Sequence, residues 1–285
     1  MHLVKAFTKK DSMIIFNFFR INLVQRVLTL LVIIPAVYLL FWYLPPLFLT
    51  GLIIACFVWI LLFELPQLGC TSSLLYWLLA LFYVAPAVLC ALAMNQSYLF
   101  RSVLFCFIVL AAINDTMAYC IGNLVGSRLL APTLSPRKTW EGFLGGLLSV
   151  LAGSIFLFMH LNKKIGTVAI KVMGGNVKQV MKPFDTPMVI MAAYFFALLF
   201  VLLAVTGDLF ESSLKRAVKI KDSGNILPGH GGVLDRIDAL LFVIPILYPL
   251  CALLLYVGLS PHVSMHNLLF QEFWNFGLFK RMFFS

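Results

Sequence analysis

The chain has 285 residues, 62% of them hydrophobic and only 11% charged, with a mean hydropathy of +1.01 and a formal net charge of +10. A soluble domain carries roughly a quarter charged residues and about half apolar ones, so this composition excludes a water-soluble globule. Charge-free runs cover 27–63, 65–100, 102–114, 142–162, 186–207 and 239–271. A bilayer core takes about 20 apolar residues per helix, and the chain reads as an all-α, polytopic integral membrane protein. The positive charge comes with no basic–aromatic motif, which argues against a nucleic-acid partner; anionic lipid headgroups and anionic substrates account for it better.

In chain order, the stretch bearing Lys5, Lys9, Lys10, Arg20 and Arg26 lacks a small-residue cleavage site. It is expected to be mature sequence anchored on the cytoplasmic side. Pro45 and Pro46 divide the first run into spans near 27–44 and 47–63, and a third lies near 74–94. The run 102–114 is too short to cross a bilayer, but continuing through "DTMAYCIGNLV" gives a span at 102–125 with Asp115 inside it. Further spans are expected near 142–160, 188–207 and 239–257. The aromatic, amphipathic tail 258–285 is either interfacial or another span, so the count is seven to nine. Residues 1–100 form a set of N-terminal helices, and 101–285 carry the polar motifs, at 114–126, 135–142 and 207–238. No internal repeat is evident, which weighs against an inverted-repeat transporter. The cysteines Cys56, Cys70, Cys90, Cys106, Cys120 and Cys251 are scattered without a CxxC pair and read as small buried hydrophobes.

From a cytoplasmic N-terminus, alternation places 126–141 and 208–238 on the cytoplasmic side. Their Arg128, Arg137, Lys138, Lys215, Arg216, Lys219, Lys221 and Arg236 fit the positive-inside tendency. The loop 161–187, with five lysines and one aspartate, falls on the other side by the same count and runs against it.

Chemistry concentrates near the C-terminal third. Five of the eleven acidic residues and five of the twenty-one basic ones lie between 208 and 238. Read as a helix, "GDLFESSLKRAVKIKD" puts Asp208, Glu211, Ser212, Lys215 and Lys219 on one face. That pattern suits either a divalent cation beside phosphates or a solvated helix with i, i+4 ion pairs. "PGHGG" cannot be helical, and its glycines let backbone amides approach a ligand. Asp235 and Asp238 then flank Arg236. Ionisable groups at the mouth of a membrane helix are functional by default, and hard oxygen ligands suit Mg²⁺ held by carboxylates plus substrate phosphates. His230 reads first as a hydrogen-bonding or positioning residue of that loop.

Upstream, "SPRKTWEG" places Ser135, Arg137, Lys138 and Thr139 before a helix beginning near Trp140, an arrangement that binds anions. Asp115, in "NDTMAYCIGNLVG", belongs either to helix-packing glue or to the polar wall of a site. From the residues alone the reading is phosphate and Mg²⁺ beside lipid.

The run "SLKRAVKIKDSGNILPGHGGVLDRID", preceded by Ser212, resembles the signature of the phosphatidate cytidylyltransferases, also called CDP-diacylglycerol synthases: S-x-x-K-R, K-D, P-x-H-G-G and D-R-x-D. "NDTMAYCIGNLVG" and "SPRKTWEG" are similar to that family's upstream motifs and stand in the right order. The likeness runs from about 110 to 240; the amino-terminal helices match only in character, and 161–187 has no counterpart. The resemblance implies an enzyme that joins CTP to phosphatidate, a membrane phospholipid, and releases pyrophosphate. It implies Asp208 and Asp235 as ligands of Mg²⁺, with room for a second cation, and Asp238 in support. Lys215, Arg216, Lys219, Lys221 and Arg236 would stabilise the phosphates and leaving group. Asp115, Ser135, Arg137, Lys138, Thr139, Ser212, His230, Gly231 and Gly232 would complete substrate binding. The expected setting is a bacterial inner or plasma membrane with the active site in a cytoplasm-facing cavity, an organelle membrane being the alternative; a homo-oligomer is left open. The competing readings are a CTP-dependent lipid-alcohol kinase, a cytidylyltransferase for another lipid phosphate, and an ion-coupled transporter using Asp115 and Asp208.

Overall fold

A computed structural model describes residues 35–68, 73–172, 186–220, 223–224 and 232–259. Within them the chain is a bundle of long helices: α1 at residues 35–42, α2 from Pro46 to Gln67, α3 from Ser73 to Gln96, α4 (Tyr98–Val125), α5 (Trp140–Val172), α6 (Thr186–Ala217) and α7 (Leu234–Leu259). Six of these, α2 to α7, are long and apolar enough to cross a membrane, and the chain is an integral membrane protein. The expected span at 27–44 is described only from residue 35 and the tail only to 259, so the seven-to-nine count reaches six among the described residues.

Two expectations change. The all-α reading gains a short antiparallel hairpin, β1 (Leu129–Ala131) paired with β2 (Ser135–Thr139), in which Leu129 faces Thr139. The "SPR" run explains the strand, because Pro136 keeps Ser135 out of the helical region. The supposed loop at 161–187 is also partly wrong: α5 continues as helix through Val172.

The two N-terminal hairpin helices each widen into a π turn, at Ile60–Glu64 and Ala80–Val84. Both turns precede a proline in the second position after them, Pro66 and Pro86. A helix-interior proline has no N–H and its ring collides with the carbonyl four residues back, here those of Leu62 and Phe82 inside the two turns. Widening the turn relieves that collision. The Leu65 amide then bonds to the Ile60 carbonyl, and the Leu61 carbonyl accepts instead from the Tyr76 hydroxyl at 3.0 Å. A local break in sequence thus becomes a contact between α2 and α3.

Helices α4 to α7 pack around Phe107, Val150, Phe200, Val201 and Leu247, all fully buried. A second cluster, including Ile60, Leu65, Val84 and Leu234, joins α2 and α3 to α7. Lipid tails are as apolar as leucine, so these contacts stabilise by close packing rather than by removal from water. Leu47, Phe48, Leu62, Phe82 and Phe156 are exposed on the outside of the bundle, as a lipid-facing surface requires. Away from the polar motifs, buried Arg101 of α4 donates to the carbonyls of Leu40 and Leu44 at 3.3 and 3.2 Å. It thereby satisfies acceptors that the end of α1 leaves open.

Helix α6 stops in a way the expected single face did not anticipate. The Ile220 amide bonds back to the Lys215 carbonyl at 3.0 Å and the Lys219 amide to that of Arg216 at 3.1 Å, with Lys219 at φ 60°. This is a Schellman termination with lysine where glycine is favoured. Lys219 therefore leaves the face shared by Asp208, Glu211, Ser212 and Lys215. A non-glycine residue in the left-handed region costs about 1 kcal/mol or more, so Lys219→Gly is expected to raise the thermal unfolding midpoint in detergent; a lowered midpoint would contradict the strained cap.

Candidate active site

The end of α6 and the start of α7 meet around one ammonium. Lys215 donates to Glu211 and to Asp235, each at 2.7 Å, and all three side chains are nearly or fully buried. Glu211 reaches Lys215 because i and i+4 positions share a helix face. Asp235 sits in the first turn of α7, where an acidic side chain is favoured by the exposed amides and the helix dipole. Its second oxygen accepts from the amides of Gly232 (2.8 Å) and Ser223 (3.0 Å). Asp235 therefore ties together three pieces of chain: the α6 face, the segment leaving α6 and the segment entering α7.

The hairpin delivers the next cation. Thr139 caps α5, its hydroxyl accepting from the Gly142 amide at 3.1 Å, a common role for threonine at a helix start. Glu141, in the first turn of α5, accepts from the Ser127 hydroxyl at 2.7 Å and the Arg128 amide at 3.3 Å. The Trp140 amide donates to the Arg128 carbonyl at 2.9 Å. So braced, β2 presents Lys138 to Asp208, with which it forms an ion pair. Asp208 also accepts from the Ser212 hydroxyl at 3.3 Å. Segments 126–141 and 208–238 thus come together through Lys138 and Asp208.

Acidic groups outnumber their ion-pair partners among the described residues. Asp238 is 8% exposed; its Oδ1 accepts the Ala239 amide at 2.7 Å, and among the described residues it has no ion pair. It lies in the electrostatic field of Asp208, Glu211 and Asp115. The Oε1 atom of Glu211 is buried with no hydrogen-bond partner in the described structure. Gly207 makes this crowding feasible: a Cβ there would come within 2.6 Å of the Asp238 carbonyl, so α6 and α7 cross at van der Waals contact. Among the described residues, Asp115, Asp208, Glu211, Asp235 and Asp238 lie near the ion-paired Lys138 and Lys215. Among the described residues no group of three or more His, Cys, Asp and Glu side chains forms a ready metal site. The fit of a hard divalent cation rests on the all-oxygen donor set, the orphaned Glu211 oxygen and the unpaired Asp238.

Asp115 resolves into two neighbouring functions. Asn114 is buried, donates to Asp115 at 3.3 Å and packs against Gly146 of α5, whereas Asp115 is exposed. The buried packing residue and the exposed acid are thus adjacent on α4. At the rim, Arg216, Lys219 and Arg236 are exposed, and Arg216 donates to the Ile220 carbonyl at 3.3 Å within the α6 cap. Ser135 lies in β2, as does Arg137, whose side chain is outside the described part. The expectations for Lys221, His230 and Gly231 also lie outside the described residues.

One buried acid was not singled out from sequence. Glu64, in the π turn of α2 and 1% exposed, accepts from the amides of Val233 (2.7 Å) and Leu234 (2.6 Å) and from the Ser223 hydroxyl (3.4 Å). Its signal was a lone carboxylate between two charge-free runs, 27–63 and 65–100. An ionisable group so placed is functional by default.

The description "Cytidylyltransferase family" fits residues 10–254 of the chain. The phosphatidate cytidylyltransferase of Bacillus subtilis (strain 168) is 40% identical over 144 residues, covering 49% of this chain and 43% of that protein. The protein of the same name from Staphylococcus epidermidis is 38% identical over 149 residues, 52% of this chain and 47% of the relative. That of Thermotoga maritima is 38% identical over 134 residues, 47% and 43% respectively. The matched stretch is thus less than half the length of each of these relatives. With most of its length covered by the family's pattern, the chain belongs to the cytidylyltransferase family.

Proposed function

We propose that the protein transfers the cytidylyl group of CTP to phosphatidate, giving CDP-diacylglycerol and pyrophosphate at a cytoplasm-facing polar cavity. The observation that carries this reading is the joining of Lys138 to Asp208 and of Lys215 to Glu211 and Asp235 at one end of a membrane-spanning bundle. A water-soluble nucleotide and a bilayer-anchored phosphate can react only where both phases reach the same groups. Family membership and the names of the relatives support the choice of CTP and phosphatidate. The placement of the acids in the last turns of α6 and the first turns of α7 favours this reading over a transporter, whose ion path would spread such groups through the bilayer depth.

In the reaction, a phosphate oxygen of phosphatidate attacks the α-phosphorus of CTP in line. The bond from that phosphorus to the oxygen bridging to the β-phosphate breaks, and pyrophosphate leaves with the electron pair. Phosphatidate is anionic near neutral pH, so the demand is for positioning and charge neutralisation rather than for a strong base. Lys215 is held by two carboxylates and by burial, and so offers a fixed positive charge without reorganisation. Lys138, on the braced hairpin, reaches phosphate from the other side. Arg216, Lys219 and Arg236 line the rim as anion-attracting charges, and Lys221 and His230 belong to the same proposed set. Mg²⁺, when bound, would neutralise the polyphosphate; Asp208 and Asp235 would hold it in exchange for their Lys138 and Lys215 contacts, with Asp238 in support and capacity for a second cation.

Purified protein is expected to release pyrophosphate only when CTP, phosphatidate and Mg²⁺ are all supplied; release without lipid, or transfer of a single phosphate to a lipid alcohol, would refute the assignment. Asp235→Asn keeps the side chain's shape but turns an NH₂ toward the Gly232 and Ser223 donors and removes a charge. Its activity is expected to fall by more than about tenfold, with unchanged elution in detergent as the check on folding. Lys138→Ala removes a flexible point charge and is expected to raise KM for CTP or for phosphatidate more than it lowers kcat. Unchanged KM for both substrates with reduced kcat would rule out ground-state binding by Lys138.

A further inference from the structure

We infer that Glu64, from the amino-terminal pair of helices, is a positioning residue for the site: it holds the two ends of the glycine-rich segment against each other and so fixes Asp235. The inference rests on the proposed function for what the site does, but its geometry stands apart from that reading. Two carboxylates grip the same two pieces of chain. Asp235 takes the amides of Ser223 and Gly232, and Glu64 takes the Ser223 hydroxyl and the amides of Val233 and Leu234. Together they hold Ser223 beside Gly232, Val233 and Leu234, which cannot separate without orphaning buried donors. Leaving such donors unpaired costs about 1–3 kcal/mol each.

The fit is close. A Cβ on Gly232 would come within 2.5 Å of the Ser223 hydroxyl and 2.9 Å of the Glu64 carboxyl carbon. Gly232 is thus required for the Glu64 contact, independently of any ligand. The carboxylate is 1% exposed and sits on the π turn that Pro66 imposes on α2. Glu64 also differs from an ordinary cap because it comes from a helix remote in sequence. It uses both oxygens, Oε1 on Val233 and Oε2 on Leu234 and Ser223. A glutamine at this position would turn an NH₂ toward at least one of these N–H donors and lose one or two of the three hydrogen bonds.

The test measures hydrogen exchange and kinetics on full-length protein in detergent, for the wild type, Glu64→Gln and Ser223→Ala. In Glu64→Gln the amides of Val233 and Leu234 are expected to lose protection while peptides from α4 and α5 keep theirs. At the same time kcat/KM for CTP is expected to drop at least about tenfold and the Mg²⁺ midpoint to rise, with KM for phosphatidate within about twofold of wild type. Lost protection with wild-type kinetics and Mg²⁺ midpoint would reduce Glu64 to a structural staple and overturn the inference. Retained protection would overturn it too. Should Glu64→Gln fail to yield folded protein, Ser223→Ala decides the matter: it removes one hydroxyl and leaves the Ser223 amide on Asp235. An approximately threefold or greater loss in kcat/KM for CTP supports the inference, and unchanged kcat/KM overturns it. Wild-type protein that releases no pyrophosphate would sink the proposed function, whereas the exchange arm would still decide whether Glu64 holds the segment.

Discussion

The ammonium of Lys215 lies between two carboxylates on different helices, buried in a bundle with little water to spare for any of them. Breaking a buried pair by removing one partner costs about 3–5 kcal/mol, because the other charge is stranded. Helices α6 and α7 are therefore tied at this point by more than packing. Everything that enters the site is referenced to that tie. Asp235 extends it to the Ser223 and Gly232 amides, Glu211 extends it down the α6 face, and Gly207 lets the two helices approach closely enough for Asp238 to join. A bundle held only by leucine and phenylalanine would permit small rotations of α7, and each degree would carry Asp235 away from its partners.

The charge balance around this tie has a direction. Acids outnumber the lysines that pair with them, and the surplus lies deepest, on Glu211 and Asp238. Unpaired buried charge is expensive, and such groups take up protons unless a cation neutralises them. Lys138 on the hairpin and Lys215 in the last turn of α6 are both less buried than Glu211 and Asp238. Substrate anions and their counter-cations would thus divide the site between them by sign. The arrangement serves transfer chemistry that needs neutralisation and alignment more than proton removal.

Much of this was legible in the sequence because membrane physics leaves so few options. The charge-free stretch of thirteen residues before Asp115 had to continue through that aspartate to span, and α4 does so. The run 208–238 carried its acids and bases at helical spacing, and the Lys215 pair follows from it. The errors have local causes. Lys219 fits the face by periodicity, but periodicity does not report where a helix stops, and α6 ends in a left-handed lysine. Thr139 takes a second role that spacing does not announce, capping α5 by accepting from the Gly142 amide. The segment 161–172 looked like a loop because its lysines broke the apolar run, yet backbone hydrogen bonding carries α5 through Val172.

Glu64 shows why one part of the site was harder to read. Motif logic works along the chain and rewards residues that stand near one another; Glu64 stands more than 150 positions from the amides it holds. Its placement depends on a proline two residues later that forces a π turn, and on a helix start that supplies donors with no intrahelical acceptor. Neither feature is informative alone. Combined, they let an amino-terminal helix hold Ser223, Val233 and Leu234. The consequence is architectural: donors at the start of α7 are satisfied by a carboxylate of α2, so hydrogen bonds join the amino-terminal helices to the helices that carry the polar motifs.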